Sequence, residues 1–571
     1  MISPSKLRFV TVSVRLFYVF FSVTTTTTRF PLSSRAFSPV ASSSLSVNCN
    51  PKHRAATGRP STRSTSVSRA LLLHTTRRKR SASCCYRPSC YLATSNNQSL
   101  LQSVRNMEWL ESWAVSHGVQ FDPNIQLMAT TTTTTATAKS FPQDSRNSVH
   151  NISVGMDDND DWTLRLVSDH STAIAAATKM TTPTKILLTV PSHLVLSSET
   201  IRERLNATEL APSLKDIENY LSQRNAEGQI PQFYLFLQLL SEYHQGPDSL
   251  WYPWIQSLPK RYDTAVCMDD VELECLPPFA WALAKVERYH FDLFRQAITK
   301  LSQTDGQLIL PDVETYDTAL LQWIFNTVFT RCWRFPDLLP NGRERCDMVP
   351  LGDMFNHNAN PTVEIDYDDM GNVEFSYLPT SPETPTTQDN LAISYGFPTN
   401  PYRFLVIFGF VDEKQPEVFC QLVAKEPSRQ LVDMGYDSTK MVFRTSDGAI
   451  SNAVWNVMLY QLLEQVPALQ QQLYQAHTSN QTHITSSMHE QYHLETCLLL
   501  SRHVDKSLDE FQDLLENANT HSCSQHPRLH MIQRHLKFMI DTFAKVQCNL
   551  KERIQDETKR RMMMMIPTQQ E

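Results

Sequence analysis

The sequence predicts an α+β fold, and three observations predict it. Short β-rich runs stand near residues 186–196 and again over 347–411. Helical spacing of apolar residues fills about 201–335 between them. After residue 415 the spacing is helical once more. The order strands, helical insertion, strands, helical tail differs from the strict βα alternation of a doubly wound sheet.

Taken in chain order, Trp109–Phe121 (WLESWAVSHGVQF) places apolar residues at helical spacing and reaches Gly118, so it reads as a short amphipathic helix. Residues 129–160, with Thr130–Thr135 and a polar acidic run, read as a disordered insertion. Ile186–Val190 is β-rich and closed by Pro191, and Leu194–Leu196 is a second short strand candidate. Phe233–Tyr243, Ala280–Leu301 and Glu314–Arg331 are helix candidates. Residues 347–411 divide into short strands separated by turn residues, and 453–475, 490–516 and 528–553 are helical runs.

Composition narrows the function. Glycine is scarce, 13 of 571 residues, where about 7% is usual. Residues 1–107 hold 16 Lys or Arg and no Asp or Glu, which leaves 36 basic against 59 acidic residues for the remainder. A body this acidic is poorly suited to neutralising phosphates, so nucleic-acid binding is disfavoured. No run of 18 apolar residues occurs, so no ordinary membrane span is expected. The 12 cysteines form no Cys-x-x-Cys pair and suit a reducing compartment.

Residues 1–106 have the parts of a targeting presequence. Lys6 and Arg8 precede an apolar stretch, Phe9–Val23, and a Ser/Thr/Arg-rich tail follows. The Ala36-Phe37-Ser38-Pro39 junction resembles the cleavage motif of presequences serving complex plastids. The expectation is a plastid, with mitochondrion or cytosol as alternatives. Met107 would serve as an alternative start.

The densest chemistry lies between 331 and 411. Asp347-Met348-Val349-Pro350-Leu351-Gly352-Asp353-Met354-Phe355-Asn356-His357 ends in a compact Asn-His pair. Leu391-Ala392-Ile393-Ser394-Tyr395-Gly396 reads as a strand ending in Tyr-Gly, and Phe404–Val411 (FLVIFGFV) follows. Singly, each is a common turn or strand end.

In this order they resemble a SET-domain methyltransferase, in the branch that includes the RuBisCO large-subunit lysine methyltransferase and the actin-histidine methyltransferase. Further segments carry the resemblance: Ala177–Pro191, the stretch Asp248–Ile255 with Leu258-Pro259, and Val328-Phe329-Thr330-Arg331. It covers roughly 107–550. It implies a SET domain of small sheets over 107–412, with a helical insertion, followed by an all-helical substrate-binding domain over 413–571. It also implies S-adenosyl-L-methionine as cofactor and a protein substrate, most simply a lysine on a non-histone protein. No Cys-rich zinc segment follows Val411, which fits the non-histone branch.

Residue by residue, Tyr395 takes the place of the family's catalytic tyrosine. Asn356 and His357 match its cofactor-binding pair, and Arg331 matches an arginine near the cofactor carboxylate. A planar fork donor suits a carboxylate there. Phe408 and Phe410 fall at the substrate channel. Two departures stand out. The family's Gly-x-Gly falls at Thr172-Ala173-Ile174, and its Tyr-Gly-Phe is Phe408-Gly409-Phe410, without the hydroxyl. A SET-like binding module without turnover is therefore the second reading.

His489-Glu490-Gln491-Tyr492-His493 is a literal His-Glu-x-x-His inside an expected helix, the signature of zinc proteases. Glu516 could serve as third ligand, and His521, Cys523, His526 and His530 form another polar group. The motif is expected to be structural because the SET-like region occupies the place of a protease scaffold, with zinc proteolysis the minor alternative, and the second group reads as a polar helix-entry loop before Pro527.

Overall fold

The computed structural model describes residues 105–122, 125–129, 162–166, 185–303, 317–334, 343–378, 391–396, 400–422 and 427–565. Of the presequence over 1–106 only Arg105 and Asn106 are described, the insertion expected over 129–160 lies outside the described residues except for Ala129, and Thr172-Ala173-Ile174 lies outside them altogether.

Helix α1 (Met107–Ser116) starts where Asn106 accepts the Trp109 amide and stops before Gly118, which turns the chain at φ +85°. Strands β1 (Gln120–Phe121), β2 (Ile125–Ala129), β3 (Trp162–Leu166) and β4 (Ile186–Val190) follow. β2 and β3 pair antiparallel, and β1 pairs with β4. Beyond β5 (Leu196–Ser197) come helices α2 (Ser198–Asn206), α3 (Ala211–Ser222) and α4 (Ile230–Gln245). Leu194 closes a 3₁₀ turn instead of opening a strand, because Pro191 sets up a tight turn immediately before it.

Helix α4 is buried from Gln232 to Leu240, as a helix apolar on all sides must be. Next come α5 (Tyr252–Ser257), α6 (Asp270–Glu274), α7 (Pro278–Gln303) and α8 (Thr318–Arg331). Asp269 and Glu272 form a reciprocal capping box on α6, and Asp317 caps α8. The aromatic faces of α4, α7 and α8 interlock, with Phe233, Phe294, Phe325 and Phe329 within 4.0–5.8 Å of one another along the chain of contacts.

Strands β6 (Trp333–Arg334), β7 (Cys346–Met348), β8 (Asn356–His357), β9 (Val363–Tyr367), β10 (Val373–Tyr377) and β11 (Ala392–Ile393) complete the sheets. The largest sheet runs β1-β4-β10-β9, a second runs β5-β7-β6, and β8 pairs with β11. Gly352, just before β8, is held against the Phe375 ring of β10. A Cβ there would lie 2.2 Å from that ring.

The apolar run from Phe404 is not a strand. Pro401 opens a short helix, α9 (Pro401–Arg403), and Phe404–Phe408 continues as a widened helical turn ended by Gly409 at φ +76°. A short apolar run cannot be assigned to strand or helix by periodicity alone. The tail is also not all helical. Strands β12 (Glu417–Phe419) and β13 (Val442–Arg444) pair antiparallel around α10 (Arg429–Asp433). Three residues are too few for a period-2 signal, so both strands were silent in the sequence. Helices α11 (Asn452–Leu462), α12 (Pro467–Thr478), α13 (Thr482–Gln491), α14 (His493–Thr520) and α15 (Leu529–Met565) follow.

Two apolar cores result. The first joins the sheets to α1–α4 and α8 and takes Phe291, Phe294 and Ile298 from α7. The second joins β12, β13 and the C-terminal helices and takes Ala280, Leu283 and Ala284 from the start of the same helix. Among the described residues the eight cysteines are free thiols, and no helix is long and apolar enough to cross a membrane.

Candidate active site

The parallel pairing of β8 with β11 sets Asn356 beside Ala392 and His357 beside Ile393. Tyr395 lies two residues beyond Ile393, and this register brings it back against His357, ring centroids 5.3 Å apart. The Tyr395 amide donates to His357 Nδ1 at 3.1 Å, and its hydroxyl donates to the Phe355 carbonyl at 2.9 Å. One aromatic side chain is therefore fastened at both ends to the Asn-His segment.

Accepting the Tyr395 amide requires a bare Nδ1, so the neutral His357 ring carries its proton on Nε2. That atom is buried without a hydrogen-bond partner and lies 3.8 Å from Asp412 Oδ2. Burial lowers the His357 pKa below its ordinary value, and the Asp412 carboxylate opposes this in part.

An aromatic wall surrounds the pair. Phe408 lies 5.0 Å from the Tyr395 ring and Phe410 6.3 Å from it, while Phe404 packs 4.4 Å from His357. Gly409 turns the chain between Phe408 and Phe410 in a left-handed conformation. A Cβ at Gly409 would lie 2.7 Å from the Asp263 backbone, so only glycine fits.

Arg331 closes α8 in the buried interior. Its Nη1 donates to both the backbone carbonyl and Oδ2 of Asp353, each at 3.0 Å. The other carboxylate oxygen of Asp353 accepts the Trp254 indole N–H at 3.2 Å. Leu351, which opens this turn, is held at φ +70° without being glycine. Such a conformation costs about 1–3 kcal/mol and persists only where its surroundings over-determine it.

The structure thus gathers Tyr395, Asn356, His357, Phe408 and Phe410 and ties Arg331 to them through Asp353, two residues before Phe355. The sequence reading did not assign roles to Asp353, Trp254, Phe404 or Asp412. Asp353 lies within the segment that drew attention, but a carboxylate before a turn carries no signal of its own partner.

The group fits the polar end of S-adenosylmethionine. The carboxylate of its amino-acid end needs a planar fork donor, which Arg331 supplies, held in place by the shielded Asp353. The orphaned His357 Nε2 offers a further donor. The segment matching the family's Gly-x-Gly lies outside the described residues.

The His-Glu-x-x-His motif is divided between two helices, α13 ending at Gln491 and α14 starting at His493. His489 Nε2 pairs with Asn456 Oδ1 at 2.8 Å, and His493 packs its ring 5.9 Å from Trp455. His526 pairs with Asp269 at 2.7 Å. Among the described residues, no group of three or more His, Cys, Asp or Glu is placed to hold a metal ion.

No family model matches the chain. Curated relatives do. Over 193 residues it is 27% identical to SET domain-containing protein 4 of Homo sapiens, covering 33% of this chain and 43% of that protein. Over 237 residues it is 24% identical to the Mus musculus SET domain-containing protein 4, covering 41% and 50%. Actin-histidine N-methyltransferase of Rattus norvegicus is 33% identical over 128 residues, 22% of this chain and 21% of that protein. The match spans at most about half the length of these relatives. The solved structure of Rubisco LSMT bound to AdoMet aligns over 81% of this chain and 97% of its own, with 13% identity and a TM-score of 0.47. By sequence, the chain is a SET-domain relative in the branch that includes SET domain-containing protein 4 and the actin-histidine N-methyltransferases.

Proposed function

We propose that this chain is an S-adenosylmethionine-dependent protein methyltransferase whose target is a lysine side chain of a non-histone protein. The observation that carries the reading is the double fastening of Tyr395 to His357 and the Phe355 carbonyl inside an aromatic recess. The cofactor, when bound, supplies an electrophilic methyl group on a sulfonium. Asn356 and His357 would hold its adenosine and amino ends, and Arg331 its carboxylate.

The chain's own residues would do the rest. In-line displacement depends mostly on positioning. With its proton committed to the Phe355 carbonyl, the Tyr395 oxygen presents lone pairs to an incoming amine N–H. The Phe404, Phe408 and Phe410 rings desolvate that amine, and desolvation favours its neutral, nucleophilic form.

Lysine is favoured because its slender, unbranched stem suits a recess walled by phenylalanines. The relatives named for actin-histidine methylation make histidine the chemical alternative. Incubation of the protein with methyl-labelled S-adenosylmethionine and organellar extract, followed by hydrolysis, should release labelled methyl-lysine. Labelled methyl-histidine would overturn the lysine assignment.

A SET-like binding module without turnover is the second reading. The specific observation in its favour is that Phe408 and Phe410 bring no hydroxyl to the recess. Substrate capture with no label transfer would establish it.

The presequence reading is that residues 1–106 direct the chain to a plastid. A reporter carrying them should enter plastids, and Phe37→Ala should impair that entry. Mitochondrial signal would redirect the assignment, and a diffuse cytosolic signal would favour a start at Met107.

A further inference from the structure

A buried side chain of the helical insertion reaches the candidate site from α5. Trp254, on α5, is fully buried, and its indole N–H donates to Asp353 Oδ1 across 99 residues of sequence. Asp353 Oδ2 and the Asp353 carbonyl both receive Arg331 Nη1. The Asp353 carboxylate is completely shielded and the Arg331 side chain is 7% exposed.

Geometry gives each bond a separate task. The carbonyl fixes where Nη1 lies. The carboxylate fixes the plane of the guanidinium, but only while it is itself prevented from rotating about its Cβ–Cγ bond. The indole N–H supplies that restraint, because it holds Oδ1 and so leaves Oδ2 facing Arg331. The strained Leu351 and the closely packed Gly352 anchor the backbone from which Asp353 projects. The guanidinium carries three further N–H groups, on Nε and Nη2, whose directions follow from that plane.

We propose that Trp254 and Asp353 are positioning residues for Arg331, so that the insertion sets how well the site discriminates a ligand bearing a carboxylate. This rests on the reading of Arg331 as the group that meets the cofactor carboxylate. Arginine recognises a carboxylate through paired parallel bonds, which require the fork to be presented in one orientation. Loss of the indole N–H should therefore weaken carboxylate recognition and little else.

The test is calorimetric binding to the full chain of two probes, S-adenosylmethionine and its decarboxylated analogue. Wild type should bind the carboxylated probe at least about tenfold more tightly, the scale of a charged hydrogen bond. Trp254→Phe should lose about fivefold for S-adenosylmethionine and less than twofold for the analogue. Asp353→Asn, which keeps the shape, should remove most of the discrimination, and it also covers the case in which Trp254→Phe fails to fold. Equal weakening of both probes by either folded variant, or no change in either probe, would overturn the relay. Wild type binding both probes equally would overturn the role of Arg331. Wild type binding neither would remove the cofactor reading and the relay with it.

Discussion

The Tyr395 hydroxyl is bonded to the backbone carbonyl of Phe355, the residue directly before the Asn356-His357 pair. The bond orients the phenol without charging it. It also means that the hydroxyl is part of the site's framework before any ligand arrives.

Tyr395→Phe should accordingly leave S-adenosylmethionine affinity nearly unchanged and lower turnover by roughly 10²–10⁴, the usual contribution of a positioned proton-handling group. Steady-state rates at saturating cofactor, with calorimetry alongside, separate the two effects. Equal turnover in the variant would remove Tyr395 from the chemistry.

Acid should weaken the fold. Burial holds His357 below its ordinary pKa, and it lowers His503 to about 4 and His535 to about 3. Each histidine binds its proton more readily in the unfolded chain, so stability is full above about pH 6.5 and is lost as pH falls below it. The melting temperature should decline steadily from pH 6.5 toward 4. His535 has no hydrogen-bond partner on either ring nitrogen, so His535→Leu should flatten that decline. An unchanged slope would show that His535 does not contribute.

Gly409 and Gly396 make a controlled pair. Both have a left-handed backbone, φ +76° and +79°, but only Gly409 would drive a Cβ into neighbouring backbone. Gly409→Ala should cost on the order of 1–3 kcal/mol more than Gly396→Ala, whose cost is conformational alone. Urea unfolding of the two variants measures the difference. Equal costs would mean that the Asp263–Thr264 turn yields.

The resemblance to the SET family sets Thr172-Ala173-Ile174 where that family has Gly-x-Gly, and Ile174 is β-branched. Glycine at 172 and 174 should tighten S-adenosylmethionine by on the order of 1–3 kcal/mol, the cost of one strained backbone position. Calorimetry of the double variant decides it. Absence of binding before and after the repair would favour the non-catalytic reading.

What the sequence made legible follows from physics. Long helices with wide apolar stripes, such as Ala280–Leu301, were readable because 3.6-residue spacing repeats over many turns. Ile186–Val190 was readable because proline closes a β-branched run. The Asn356, His357 and Tyr395 constellation was readable because types and order survive in one dimension. The contacts of Asp353 with Trp254 and Arg331 were not, since those residues come from distant helices and neither pairing leaves a local pattern. The Phe404–Phe408 turn was misread for a related reason. Its residues suit a strand, and the preceding Asn400-Pro401 outweighs them only in three dimensions.

The 26-residue helix α7 lends its opening turns to one core and its closing turns to the other. A rod of that length spans about 39 Å at 1.5 Å per residue. Neither core can loosen without baring a stripe that steadies the other. Heat or denaturant therefore meets a beam shared by two rooms, and a weakness in one is felt as a weakness in both.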